Sequence, residues 1–467
     1  VTLSFDGFAP AVEIADLIRS KKISPLEFME WSLERIQELN PRFNAIVSMD
    51  ADKALEEARK QTALIASGHE IGPFGGLPFA VKDLENAAGF ATTLGSRLYQ
   101  DNVVDFDDVL VARLKNAGAI LVGKTNTPEF GHIPFTDNDL FGPTRNPWDE
   151  TRTPGGSSGG SAAALATAML PLATASDGGG SIRIPACYSG LYGLKPSQGR
   201  VPIAPRVRHP WLSISCYGPL TRSVKDAARY LDIVAGPHDE DPTSLPANDF
   251  SYEDSLKEAL PPLRIAFNET LGVTRLQADV KREFYAALKT FSDLGHEVEE
   301  TKDVIPEMGG WWARVSAFQS LGLEWENYRK NHDLFTDRYA KSLDRALDVG
   351  PDDFANFLQL RGELIAWTNR LFQNYDLLLT PTLPTEAFLA EGPIPSELDG
   401  ERFNAVAFTY PFNFTGHPAA SVRAGFTDAG LPCGLQIVGR RFRDDIVLRA
   451  SHDYEKLRPW SQDWPQL

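Results

Sequence analysis

Cysteine is scarce in this chain: three in 467 residues, Cys187, Cys216 and Cys433, with no CxxC pair among them. That spacing excludes a disulfide framework and a zinc knuckle. Three thiols in so long a chain fit a reducing compartment, so a cytoplasmic location is expected. Long apolar runs are also missing. The longest, Ala162 to Ala175, has 14 residues and contains Pro171; it is too short to span a bilayer and suits a buried core segment. The opening VTLSFDGFAP has no basic region followed by an apolar run, so no signal peptide is expected. Positive charge is in deficit, with 46 Lys and Arg against 63 Asp and Glu and a net charge of −17. Such a surface repels phosphate backbones and anionic headgroups, which excludes nucleic acid and membrane surfaces as partners. No HExxH and no SxxK occurs, which removes zincin and penicillin-binding-protein chemistry. Neither a metal nor a cofactor is expected.

What remains is ordinary globular material, 42% hydrophobic and 10% aromatic. Ser24-Pro25-Leu26-Glu27 is a capping box with proline at the first helical position. Helices are expected after it, over about 53–67, 107–117 and 159–169. Short apolar strands are expected at 78–82, 119–123, 172–176, 376–380, 420–423 and 434–438. That alternation argues for an α/β protein with one sheet built from both ends of the chain. Residues 240–375 read as a mostly helical, aromatic insertion.

Two small-residue clusters stand out: Gly155-Gly156-Ser157-Ser158-Gly159-Gly160-Ser161 and Asp177-Gly178-Gly179-Gly180-Ser181. The second follows an apolar strand directly and reads as a tight turn inside a core. Three glycines before a serine free the backbone to aim several N–H groups at one point, as an oxyanion hole requires. Ser181 with the N–H groups of residues 178–181 supplies a nucleophile and oxyanion donors. The residues alone leave the base open. None of the eight histidines sits near a serine in a glycine-rich setting; His417, in Thr-Gly-His-Pro, is the best placed. Lys82 is the better candidate, because it ends an apolar strand. Two motif matches are discounted. Gly118 to Thr125 satisfies GxxxxGK[ST], but its variable positions are a strand and Pro128 follows at once. Gly156 to Gly160 satisfies GxSxG, but a polar segment ending in Pro154 precedes it instead of a core strand.

The segments GGLPFAVKD (75–83), TPGGSSGGSAA (153–163) and DGGGSIRIPA (177–186) closely resemble the amidase-signature family in order and spacing. Seventy-five positions separate Lys82 from Ser157, and 24 separate Ser157 from Ser181. GLKPSQGRVP (193–202), GPLTRSVKDAA (218–228), TYPFNFTGHPA (409–419) and GLQIVGRRF (434–442) extend the resemblance over nearly all the chain outside 240–375. The resemblance implies a single large α/β/α domain over 1–467, with a mixed twisted central sheet flanked by helices. Its core would cover about 60–235 and 376–467, with a helical variable insertion at about 240–375. Implied roles are Ser181 as acylated nucleophile, Ser157 as bridging serine after a cis peptide with Gly156, and Lys82 as base. The N–H groups of Gly178, Gly179, Gly180 and Ser181 would form the oxyanion hole, with Ser158, Asp177 and Arg183 in support. Arg423 stands where the family often has proline.

This assignment carries a physical condition. A lysine of pKa about 10.4 is protonated at neutral pH, and lowering it to about 7–8 needs roughly 4 kcal/mol of desolvation. Asp83 points to the opposite strand face, so it need not hold the lysine charged. The expected activity is hydrolysis of small-molecule amides, anilides, carbamates (urethanes) or esters through an acyl-enzyme, by a monomer or homodimer. Two other readings are a Ser158–His–Asp esterase using His417 and a glutamine-hydrolysing amidotransferase subunit. The pocket is expected from 129–138, 201–217, the insertion and 403–414. Phe130, Phe135, Trp211, Trp311, Trp312, Phe408 and Phe412 there suggest an apolar or aryl acyl group.

Overall fold

The computed structural model describes residues 6–204 and 214–467. In its N-terminal part β1 (Ile46–Met49), β2 (Pro78–Lys82), β3 (Ile120–Thr125) and β4 (Leu172–Ala173) form a four-stranded sheet in the order β1-β3-β2-β4. β2 pairs in parallel with both neighbours and is buried throughout, as an unbroken apolar run between parallel strands requires. The short β5 (Ser176–Asp177), β6 (Tyr192–Lys195), β7 (Cys216–Tyr217) and β8 (Leu220–Thr221) follow, with β5 paired to β7. The later strands are β9 (Arg264–Phe267), β10 (Glu297–Glu300), β11 (Leu377–Pro381), β12 (Glu397–Leu398), β13 (Glu401–Arg402), β14 (Ala419–Phe426) and β15 (Pro432–Gly439). A mixed seven-stranded sheet runs β10-β9-β11-β15-β14-β6-β8, and β12 and β13 make a separate hairpin.

The α/β class holds, with helices flanking both sheets, but hydrogen bonding divides the expected single sheet in two. β4 lies beside β8 at the seam. Each is two residues long, too short to carry a continuous ladder across. The 240–375 segment, expected to be mostly helical, also holds two short strands. β9, the helix Ala278–Asp293 and β10 form a parallel β-α-β unit that extends the second sheet at its edge. β10 is Glu-Val-Glu-Glu and partly exposed, so it has no apolar signature to read. Helices Gly309–Leu323, Trp325–Lys330, Asp337–Ala346 and Pro351–Asn374 fill the rest.

Ser24 caps the helix Pro25–Phe43 through the capping box. The helix Gly159–Ala166 is buried at all eight positions. Its small residues permit close approach: a Cβ on Gly160 would lie 2.3 Å from the Asn126 nitrogen and 2.6 Å from the Ala45 oxygen. That contact seats the serines just before the helix against the end of β3. Buried Arg423 donates to the Trp460 and Asp463 carbonyls and lies over the Trp148 and Phe426 rings, so it ties the C-terminal segment down. Among the described residues no helix is long and apolar enough to cross a membrane.

Candidate active site

Lys82 ends β2 with no exposed surface. Its Nζ donates to Ser157 Oγ at 2.8 Å, to Ser176 Oγ at 3.1 Å and to the Ser176 carbonyl at 3.3 Å. Burial pushes the amine down to about 8, against the opposing pull of the Glu85 and Asp177 carboxylates. Asp83 faces away, as alternation along the strand demands: it meets Lys124 at 3.4 Å and Thr93. Lys124, the lysine of the discounted phosphate-loop match, is buried and bonds the Glu85 carbonyl at 2.6 Å. The Gly156–Ser157 peptide is cis. Gly131 passes so close that a Cβ there would sit 3.1 Å from Ser157 Oγ. Ser158 is buried and its hydroxyl donates to the Ser176 carbonyl at 3.4 Å.

The second cluster is organised by Asp177 and Arg183, both fully buried. The guanidinium bonds both Asp177 oxygens at 2.9 and 3.0 Å. It also reaches the Thr409 carbonyl, Gln436 Oε1 and Asn413 Oδ1 at 2.7, 2.8 and 2.6 Å. Burial alone would raise the Asp177 carboxyl; the charge and hydrogen bonds of Arg183 outweigh it and hold the group well below the usual carboxylate range. Asp177 in turn accepts from the N–H groups of Gly180 (2.7 Å) and Ile182 (3.1 Å), which shapes the turn. Gly180 has φ +136°, where a side chain is strained and a Cβ would strike Thr409 Oγ1 at 2.5 Å. Its N–H is thus taken by Asp177, unlike those of the other three expected oxyanion donors. The N–H groups of Gly178, Gly179 and Ser181 have no partner among the described residues.

Arg183→Met leaves the buried Asp177 carboxylate without a counter-charge, and is expected to cost about 3–5 kcal/mol in denaturant unfolding. Because folding depresses this carboxyl, the stabilisation is full above its unfolded pKa of about 3.9 and is lost as pH falls below that. The difference between wild type and variant therefore shrinks in acid.

Two chambers meet at Gly131 and Ser181. The first, about 210 Å³, is lined by Ser157, Ser176, Gly178 and Ser181 together with Phe130, Tyr217 and Tyr339. The second, about 270 Å³, is lined by Gly179, Ser181, Ile133, Trp312, Val406 and Tyr410. An apolar cavity of about 150 Å³ holds a benzene-sized ring, so each chamber accepts at least one. Of the aromatic candidates, Phe130 and Trp312 reach a chamber. Phe408 and Phe412 are fully buried in the core around Leu364 and Trp367. Phe135 is buried edge-on to Phe388 with Arg338 over its ring. These three are packing residues: the loops that carry Phe135 and Phe408, and the short helix Pro411–Phe414 that carries Phe412, turn the rings inward. Trp311 packs against that core and lines neither chamber. Trp211 lies outside the described residues.

His417 stacks on Phe372 at 4.8 Å, bonds Thr415 Oγ1 at 2.8 Å, and is pushed by burial to about 3. It has no contact with Ser158, which removes the geometric basis of the esterase reading. Residues not singled out from sequence are Ser176, Glu85, Thr409, Asn413 and the chamber tyrosines. Thr409 and Asn413 lie inside the quoted TYPFNFTGHPA segment; Glu85 carried no motif signal.

The Amidase family pattern matches residues 27–448. An acylamidase of Rhodococcus erythropolis is 37% identical over 97% of this chain and 96% of its own length. A glutamyl-tRNA(Gln) amidotransferase subunit of Heliobacterium modesticaldum is 33% identical over 98% of each. The crystal structure of a bacterial aryl acylamidase of the amidase-signature family superposes with TM-score 0.91 at 33% identity, covering 97% of both chains. With matches along nearly its full length, the chain belongs to the amidase-signature family, and its chemistry is hydrolysis of amide C–N bonds.

Proposed function

We propose that Ser181 is the acylated nucleophile, Ser157 the proton bridge and Lys82 the base. The observation that carries this is the 2.8 Å bond from a fully buried amine to Ser157, whose hydroxyl shares a chamber wall with Ser181. Lys82 takes the Ser181 proton through Ser157 as the carbonyl is attacked, then returns a proton to the departing nitrogen. That return step matters because an amide nitrogen leaves poorly unless protonated. The free N–H groups of Gly178, Gly179 and Ser181 receive the oxyanion. Asp177 and Arg183 hold the turn that aims them. A slowly deacylating aryl carbamate should leave a covalent adduct on the Ser181 peptide, read by mass spectrometry. An adduct elsewhere, or none, overturns the assignment.

The proton arrives from Ser157, so the leaving amine lies on the Ser157 side, in the chamber of Phe130, Tyr217 and Tyr339. The acyl group then enters the Trp312 chamber. Substrates of this site are amides, anilides and carbamates with apolar groups on both sides of the scissile bond. Trp312→Ala is expected to raise KM about tenfold for aryl-acyl amides while leaving acetyl amides nearly unchanged. Equal losses for both classes would contradict this orientation. Glutamine, the substrate of the amidotransferase reading, carries an α-carboxylate that calls for a cationic partner. Among the described lining residues of the two chambers there is no lysine or arginine. Turnover of simple amides by the purified chain, without ATP or a partner, separates the two readings.

A further inference from the structure

Glu85 lies three residues beyond Lys82, in the turn that follows β2, and is fully buried. Its backbone closes that turn through a 2.9 Å bond to the Lys82 carbonyl. One carboxyl oxygen, Oε2, accepts from Thr174 Oγ1, which also accepts the Lys82 backbone N–H at 2.8 Å. The other, Oε1, has no hydrogen-bond partner of good geometry, although the Ser176 hydroxyl lies beside the carboxyl. That hydroxyl is also the one Lys82 Nζ reaches at 3.1 Å. A buried carboxyl with a bare oxygen therefore stands one hydroxyl away from a buried amine. No direct ion pair joins them among the described residues. Two unpaired buried charges are expensive; sharing one proton so that both are neutral removes the cost.

We propose that Glu85 is a positioning residue that governs the charge of Lys82, taking up through the Ser176 hydroxyl the proton that the ammonium gives up. The Lys82 proton passes to Ser176 Oγ, whose own hydrogen passes to Glu85 Oε1, and the net charge of the pair is unchanged. This rests on Lys82 acting as the base. Groups facing the pair do not replace it. Asp177 is already held by Arg183, and Lys124 is matched by Asp83. Asp108 accepts from Asn86 and from Tyr217. Tyr217 and Tyr230 are pushed far up by burial and stay neutral. Burial moves Glu85 up and Lys82 down, so their proton affinities converge.

Glu85→Gln keeps the size and the Thr174 acceptor but removes the negative charge that favours the ammonium. The acid limb of kcat/KM for a neutral amide is expected to move to lower pH by about one unit or more. The infrared carbonyl band of a neutral carboxylic acid should grow in the wild type as pH falls through that limb, where the pair takes up its shared proton, and should be missing from the variant. Lower activity or stability with an unmoved limb, or no such band in the wild type, overturns the proposal. Glu85→Leu, which needs no polar partner, must give the same limb shift and serves if the glutamine variant folds poorly. Lys82→Met is measured alongside. If it stays active, the base assignment fails whatever Glu85 does. If it is dead and the Glu85→Gln limb stays put, only the role of Glu85 fails.

Discussion

Ser181→Ala is expected to cut amide turnover at least about a thousandfold while the fold survives. Ser181 lines both chambers, so it borders both of the spaces proposed for the acyl group and the leaving amine. It is only half-buried, and no side-chain hydrogen bond ties it to the described scaffold. Removing its oxygen therefore leaves no buried group unpaired, and stability should change by less than about 0.5 kcal/mol. The N–H donors and both chambers remain, so the variant should still bind substrate with little change in affinity. Steady-state kinetics and calorimetric binding check both halves. Activity above a tenth of wild type would remove Ser181 from the chemistry.

Lys82→Met is expected to lose activity on the same scale and yet gain stability. Loss follows because among the described residues the one side-chain donor to Ser157 is the amine at 2.8 Å, and the variant removes it. The gain follows from the sign of the shift. Folding pushes the Lys82 pKa below its unfolded value of about 10.4, so protonation penalises the fold. That penalty is full below about pH 8 and fades as pH rises towards the unfolded value. A methionine of similar shape carries no charge and removes it. Denaturant midpoints at pH 6 should therefore rise in the variant, by a few kcal/mol at most, and converge with wild type near pH 10. A variant less stable than wild type at pH 6 would mean the amine is not dehydrated as its burial indicates. Activity and stability moving in opposite directions is what a site that strips water from its base produces.

Much of this is legible in the sequence. The apolar PFAVK run, the capping box at Ser24 and the small-residue helix after Ser158 have local causes: burial on both faces, a satisfied helix end, close packing. They appear where the residues place them. The glycine turn before Ser181 was legible as a turn, yet its Asp177 contacts were not. Its shape depends on a carboxylate bonding N–H groups three and five residues on, and on a guanidinium that bonds in turn Thr409, Asn413 and Gln436. Aromatic residues misled in part. Phe408 and Phe412 share composition with a pocket wall and belong to the core, because area burial draws large apolar side chains inward wherever space allows. β10 is hidden because it is short and charged, and the seam between β4 and β8 because each is only two residues long there; such strands take their conformation from the sheet edge they join.

By itself the chain of residues determined which chemical groups are available and which backbone conformations they permit: serines set among glycines, and a lysine closing an apolar strand. Only tertiary structure decided that the Lys82 amine bonds a serine 75 positions on, that Ser157 and Ser181 line one chamber, that the amine is stripped of water, and that Glu85 stands behind it. Proximity and desolvation are properties of packing between distant segments. No local pattern encodes them, since a lysine at a strand end in water and one sealed under a helix read the same.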